Sequence, residues 1–110
     1  FRSKRLVKNP DAYTGRRYVL YACIWQFDGA TGPEQFLATA SYHKPAYWYV
    51  DSENAAFTGP ASKLDAFVEG DVVWMRVVSL GSYSYDTQVG GNTTVPAFEV
   101  VQIKRQAGSC

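Results

Sequence analysis

Apolar residues recur along this chain mostly with a period of two, which is the spacing of a β-strand. Residues 18–27, YVLYACIWQF, form the clearest such run and are rich in β-branched and aromatic side chains. Shorter runs follow at residues 34–42, 54–59, 72–80 and 95–105, separated by turn-forming Gly, Pro, Asn and Asp. The pattern therefore predicts five strands.

Two segments have helical features instead. Residues 1–10, FRSKRLVKNP, predict a short helix that ends at Asn9 and Pro10, because proline removes a backbone donor. We assign residues 1–13 to this helix and its lead-in. Residues 60–70 predict a second helix that begins at a proline, carries apolar residues at helical spacing and ends at Gly70. The whole chain, 1–110, is expected to form one domain with a short tail at 106–110.

The order helix, three strands, helix, two strands is that of the OB-fold, a five-stranded Greek-key barrel. We therefore expect a mainly β protein with a helix between strands three and four. Residues 81–94 are expected to form a long loop before the last strand, with Gly90 and Gly91 permitting a sharp bend. Pro96 is placed near a strand start, where a missing donor does no harm.

Three stretches also resemble a known family: NPDAYTGRRYVLYACIWQFD, LDAFVEGDVVWMRVVSLGSYSY and GGNTTVPAFEVVQIK. Together they resemble the tRNA-anticodon-like OB domains of uncharacterised bacterial proteins, over nearly the whole chain. The shared motifs are turns and core positions. The resemblance implies the fold. Domains of this kind bind varied ligands or none that is known, so the resemblance does not imply tRNA binding.

Alternation along the strands predicts which side chains leave the barrel. In the first strand Leu20, Ala22 and Ile24 share one face, while Tyr21, Trp25 and Phe27 share the other. The same rule sends Met75 inward and its neighbours outward. We expect an outer interaction surface of Tyr21, Trp25, Trp74 and Arg76, which is too apolar to face only solvent. The N-terminal helix or the tyrosine-rich central connection folded back is expected to cover it. A partner protein, a second copy and a nucleic-acid strand stacked on the rings are the alternatives.

Charge is unevenly distributed, although the net charge is only +1. Residues 1–17 carry six basic groups and one acidic group, whereas residues 18–110 carry five basic and nine acidic groups. Nucleic-acid binding needs clustered positive charge. The net negative charge of residues 18–110 disfavours nucleic-acid binding. Phosphates would have to be bound by the basic residues of 1–17 and by the five basic residues that follow, Lys44, Lys63, Arg76, Lys104 and Arg105.

We therefore expect a non-enzymatic binding module that takes a protein partner or a second copy of itself. The alternative is a domain that binds single-stranded nucleic acid. OB-fold ligands usually lie across strands two and three, between the loops that follow strands one and four. The corresponding loops here are residues 28–33 and 81–94. The candidate ligand-binding residues are Lys44, Tyr47, Trp48, Tyr49, Tyr83 and Tyr85.

Catalytic, metal and cofactor signals are weak. His43 is the only histidine, so a histidine-based metal site or a catalytic triad would rest on one ring. No phosphate-binding glycine loop occurs, and we predict no cofactor and no metal. An enzyme using Glu69 and Asp86 is the weakest of the hypotheses. The longest apolar run has eight residues, short of the roughly 20 that cross a bilayer, and the compartment stays open.

Two cysteines do not make a disulfide framework. Cys23 reads as a small buried apolar residue and Cys110 as part of the tail. Free thiols, an internal bridge and a bridge between two chains are all compatible with the sequence.

Overall fold

Five strands close into a barrel in the computed structural model, which describes residues 9–27, 34–43, 52–86, 91–108 and 110. The strand order is β1-β2-β3-β5-β4, with β3 and β5 parallel and the other pairs antiparallel. This is OB-fold topology, so the predicted fold class is confirmed. The strands are β1 (Arg17–Phe27), β2 (Gln35–Ser41), β3 (Glu53–Thr58), β4 (Val72–Asp86) and β5 (Asn92–Gln106).

The barrel interior contains a ladder of aromatic rings. Phe36, Phe57 and Phe98 are paired in register across β2, β3 and β5, and all three are fully buried. Their ring centroids lie 5.1 Å and 5.4 Å apart in stacked geometry. The inward positions predicted by alternation, such as Leu20 and Met75, complete this core. Aromatic stacking adds to the free energy gained by burying these large apolar surfaces.

One residue of β1 was assigned to the wrong face. Phe27 was predicted to point outward, but it packs against the core, with its ring 5.5 Å from that of Phe36. The cause is a β-bulge at Trp25: Ile24 pairs with Ala38 and Gln26 with the next residue of β2, which leaves Trp25 without a partner. An extra residue on one strand reverses the alternation beyond it.

The helical segments differ from the prediction where the structure describes them. A 3-10 helix, Pro10–Tyr13, begins at the proline that was expected to end a helix, because proline is well suited to the first helical position. Residues 1–8 lie outside the described residues. The second helix, α1 (Ala61–Leu64), makes only one turn, and its Leu64 is buried in the core.

After α1 the backbone turns back toward β1 and forms hydrogen bonds with it. The backbone N–H of Gly70 donates to the carbonyl of Ile24 over 2.7 Å, and the N–H of Ile24 donates to the carbonyl of Asp71 over 3.0 Å. Gly70 adopts φ +93°, so the predicted left-handed glycine is present, although it does not cap the helix. The Asp71 carboxylate accepts from the N–H of Val68 and holds the turn.

The long loop predicted over residues 81–94 is mostly strand, so that prediction was wrong. β4 and β5 continue as a two-stranded hairpin in which Tyr83 pairs with Val95 and Asp86 with Asn92. Cross-strand hydrogen bonding satisfies the backbone that a loop would leave to water. Pairing of β5 with β3 begins only at Ala97, so Pro96 lies just before β5 gains its second neighbour.

The 3-10 helix is attached to β4. The backbone N–H of Gly15 donates to the carbonyl of Ser79 over 2.7 Å, and the hydroxyl of Ser82 donates to the Asp11 carboxylate over 3.2 Å. Gly81 lies directly beneath, at φ +99°, and a Cβ there would lie 2.5 Å from Asp11 Oδ1. Only glycine fits this contact without strain.

A disulfide joins the C-terminal residue to the barrel. Cys23 in β1 is bonded to Cys110, and their Cα atoms are 5.7 Å apart. The interpretation of Cys110 as part of a loose tail was therefore wrong. Cys23 is buried, as expected, and packs with Val72 and the partly buried Tyr21. The bridge lies at one end of the outer surface of β1 and β4.

Candidate binding face

The outward residues of β1, β4 and β5 form one continuous surface, which we call the β1-β4-β5 face. Strand pairing sets its rows. Tyr21 lies opposite Trp74, which lies opposite Lys104. The next row holds Val19, Arg76 and Gln102. Directly opposed side chains on neighbouring strands are close enough to interact, so each row acts as a unit.

Trp74 is the centre of this face. The guanidinium of Arg76 lies 5.9 Å from the Trp74 ring centroid, and the ammonium of Lys104 lies 5.5 Å from it. Both distances are within the range of a cation–π interaction. The ring is half-buried, whereas the two cations are exposed. The arrangement presents an indole next to two positive charges, with Tyr21 on the neighbouring strand.

Three of the four predicted surface residues come together here. Tyr21 and Trp74 are paired in register, and Arg76 is two positions along β4 from Trp74. Trp25 lies at the bulge of β1, is 38% exposed and has no partner in the β1–β2 ladder. Trp74 points out of the barrel as alternation predicts. Its expected cover, the N-terminal helix at residues 1–10, falls mostly outside the described residues.

The predicted ligand-binding residues are distributed differently. Tyr83 packs over a small outer cluster formed by Leu37 of β2, Ala56 of β3 and Val95 of β5. Tyr85 belongs to the β4–β5 hairpin, where its backbone pairs with Thr93. Four of the candidates, Lys44, Tyr47, Trp48 and Tyr49, lie outside the described residues.

The packing of Tyr83 bears on the ligand path usual for this fold. Leu37 and Ala56 face outward from β2 and β3, yet they are only 7% and 3% exposed. The hairpin side chains Tyr83 and Val95 fill the space above them. At this position the outer surface of β2 and β3 is occupied by the protein itself, whereas Val19, Arg76 and Lys104 of the β1-β4-β5 face are exposed.

The predicted interaction surface did not include Arg17 and Val19, although alternation put Val19 on the outward face of the first strand. Arg17 was counted with the basic N-terminal arm, but it lies in β1 with its Cα opposite that of Val78. Val19 is 47% exposed and lies opposite Arg76. The alternation of β1 already placed both residues on the same side as Tyr21. Their neighbours on β4 depend on register, which a single sequence does not contain.

Among the described residues, two groups have a pKa that differs from its ordinary value. A hydrogen bond from the backbone of Val68 lowers the pKa of Asp71, and the nearby Arg105, 3.1 Å away, lowers it further. Burial raises the pKa of Tyr18, whose ring lies 6.4 Å from Tyr42 and 5.8 Å from Phe98. Both shifts follow from structural contacts in the barrel wall.

Within the described ranges, no three His, Cys, Asp or Glu side chains converge as a metal site would require. The helices in that part of the chain are all too short or too polar to cross a bilayer.

Comparison with known proteins is sparse. No family model matches the sequence, and no curated protein is significantly similar to it. Among solved structures, the barrel is similar to Rim1, a mitochondrial single-stranded DNA-binding protein from S. cerevisiae, at 8% sequence identity and a TM-score of 0.46. The similarity covers 83% of this chain and 94% of that one. A likeness at this level does not extend to ligands, and the OB-fold assignment stands on the strand order.

Proposed function

We propose that this chain is a non-enzymatic OB-fold module that binds single-stranded nucleic acid on its β1-β4-β5 face. The observation that carries the proposal is that the Trp74 ring lies within cation–π distance of both Arg76 and Lys104, with Tyr21 opposite it on β1. Proteins that bind single strands without sequence preference combine aromatic platforms with positive charges that follow the phosphates. The face supplies both kinds of group within one row and its neighbour.

Local charge supports this proposal better than the charge of the whole body does. Arg17, Arg76 and Lys104 are outward residues of the face, and Glu99, opposite Val78, is the acidic residue nearest to them in register. Asp71 is engaged elsewhere, because it pairs with Arg105 at the barrel end. A phosphate responds most strongly to charges within about 8–10 Å at physiological salt, because more distant charges are screened.

A single strand suits this face better than a duplex. Trp74 and Tyr21 can contribute stacking only to a base whose flat side is accessible, and bases in a duplex are already stacked on one another. Neighbouring rows of a strand lie about 6.5–7 Å apart along the chain. The bases are proposed to lie over Tyr21 and Trp74, with Arg76 and Lys104 directed to the phosphates.

The test is a fluorescence titration of labelled oligothymidine with the purified domain. Trp74→Ala is expected to weaken binding by about 5- to 150-fold, which corresponds to about 1–3 kcal/mol for one stacked base. Trp25→Ala is the matched control, because Trp25 is an exposed tryptophan outside the Trp74 rows. Lys104→Gln should weaken binding and flatten its salt dependence.

The salt dependence gives a second readout. Three phosphate contacts imply a loss of roughly 15- to 20-fold in affinity between about 50 and 200 mM salt for a single strand. Absence of binding at low salt would falsify the nucleic-acid proposal. If Trp74→Ala and Trp25→Ala bind oligothymidine with equal affinity, the binding site does not lie on this face.

A protein partner or a second copy remains the second candidate function. The observation in its favour is the set of half-exposed aliphatic residues on this side of the barrel, Val19 and Val101, at 47% and 50% exposure. Light scattering after size exclusion measures self-association directly. A monomer at all accessible concentrations would count against a second copy as the partner.

We further propose that the chain belongs with the bacterial tRNA-anticodon-like OB domains that it resembles. Two motif glycines support this, since Gly15 and Gly70 both adopt positive φ, at +89° and +93°. In that interpretation the motifs persist because these turns need glycine. Sequences of homologues test it: other residues at both positions would remove this support.

A further inference from the structure

A groove of about 480 Å³ opens on the β1-β4-β5 face beside the Trp74 row. Two of its walls are lined by two cross-strand pairs of β1 and β4, Arg17 with Val78 and Val19 with Arg76. The third wall is Val101 of β5, the extra residue of a bulge between the Arg76 and Val77 pairings. Tyr18 and Val77 complete the lining. The volume is in the range of ligand-binding clefts.

The groove combines an aliphatic floor with cationic edges. In each pair a valine lies opposite an arginine. The two arginines are therefore diagonal neighbours, with Cα atoms about 7–8 Å apart. None of the lining residues is acidic. Between described residues the one ion pair is Arg105 with Asp71, so neither groove arginine is neutralised there.

This surface suits a ligand that carries both apolar and anionic groups. Val19 and Val101 are about half exposed, and a ligand of that kind would bury them and pair with the two arginines. Carboxylates satisfy arginine with strong, charge-assisted hydrogen bonds. Aliphatic side chains of a ligand would remove the exposed surface of the valines from water.

We infer that this groove docks an acidic, aliphatic peptide segment of a partner protein, with carboxylates on Arg17 and Arg76 and apolar side chains on Val19, Val78 and Val101. This inference does not require nucleic-acid binding, although the peptide would share Arg17 and Arg76 with the proposed nucleic-acid surface. It gives the protein-partner function a site and a partner chemistry. Electrostatic complementarity fixes the register of such a peptide and speeds its association.

The alternative occupants match the groove less well. A nucleotide would meet the arginines with its phosphate, but its base would lie on valines instead of on the aromatic rings one row away. Residues 1–8 of the chain carry four basic and no acidic side chains. Like charges disfavour that segment beside Arg17 and Arg76.

The experiment measures fluorescence anisotropy of a labelled short peptide built from aspartate and leucine, titrated with the intact oxidised domain. Two control peptides replace every aspartate with asparagine or every leucine with serine. The acidic aliphatic peptide is expected to bind, and both controls should bind about tenfold more weakly or not at all, because each lacks one half of the match.

Variants of the protein locate the site. Arg17→Gln should weaken peptide binding about three- to tenfold, whereas Arg16→Gln should not, because Arg16 lies over the Tyr13 ring outside the groove. Val101→Ser should weaken it about three- to fivefold, whereas Val68→Ser, at an exposed valine outside the groove lining, should leave it unchanged. These exposed positions are chosen so that the variants stay folded.

Each outcome decides the inference. The inference is supported if the domain binds the acidic aliphatic peptide more tightly than the two control peptides, and if this preference is lost in the Arg17 and Val101 variants and kept in Trp74→Ala. Equal binding of all three peptides, or loss on Trp74→Ala alone, overturns it. Oligothymidine that binds tightly through Arg17 and Val101, with no peptide binding, assigns the groove to nucleic acid. Failure of oligothymidine to bind removes the nucleic-acid proposal and leaves the peptide result standing.

Discussion

The Cys23–Cys110 disulfide provides a sharp test of how the barrel is stabilised. Cys110→Ser breaks the bridge and removes no core side chain, because Cys110 is exposed whereas Cys23 is buried. The change leaves the strands and the aromatic core intact. Any loss of stability therefore reports the cross-link itself and the anchoring of the C-terminal residues after β5.

The magnitude follows from the length of chain that the bridge closes. The two cysteines are 87 residues apart in sequence, so the bond constrains most of the unfolded chain. In the loop-entropy treatment, a closed loop of this length lowers the stability of the unfolded state by about 4–5 kcal/mol. Domains of this size are stable by only about 5–15 kcal/mol in total, so the loss is a large fraction of the whole.

Urea unfolding followed by circular dichroism measures the loss. With a slope of about 1.5–2 kcal/mol/M, the unfolding midpoint should fall by about 2–3 M in Cys110→Ser. Wild-type protein treated with dithiothreitol should match the variant, and the variant should not respond to the reductant. Coincident unfolding curves for oxidised wild type and Cys110→Ser would refute the reasoning.

Three further changes test individual contacts. Gly81→Ala should destabilise the domain by more than Gly15→Ala in urea unfolding: both glycines have positive φ, but only at Gly81 would a Cβ lie 2.5 Å from a neighbouring carboxylate oxygen; equal losses would show that the contact relaxes. Asp71→Asn should lower the melting temperature at neutral pH, and the difference from wild type should vanish as pH falls through the lowered pKa of the folded carboxyl. A carboxyl whose pKa is lowered on folding stabilises the protein above its unfolded pKa and loses that effect as pH falls through the folded one. A difference independent of pH would contradict this, and Arg105→Gln should show the same trend. Phe57→Ala should cost about 3–5 kcal/mol of unfolding free energy, since it removes the middle ring of the buried ladder; a loss below about 1 kcal/mol would mean that the neighbouring rings fill the space.

The sequence carried enough information for the fold class and for most inward positions. Alternation placed Leu20, Ala22 and Met75 inside the barrel, where all three are fully buried. The period of a strand is a local property, set by backbone geometry and by the need to bury one face. The order of elements then selected the OB-fold, because few topologies place a helix between the third and fourth of five strands.

Local patterns were insufficient where the pairing partner decides the conformation. Phe27 turned inward because Trp25 is bulged out of the β1–β2 ladder, and a bulge exists only relative to the opposite strand. Residues 81–86 and 92–94 looked like a loop, since serines and threonines are common in turns, yet pairing between β4 and β5 makes them strand. The disulfide likewise depends on the fold bringing together two residues 87 positions apart.

The candidate binding face divides in the same way. That Tyr21, Trp74 and Arg76 point outward was determined by the sequence alone, through alternation within each strand. That Trp74 lies beside Lys104, and that Arg17 and Val101 border one groove, was decided by the register of three strands in the closed barrel. Register depends on the packing of the whole domain, because the stable pairing is the one that buries the apolar face of every strand. No stretch of β1, β4 or β5 specifies it alone.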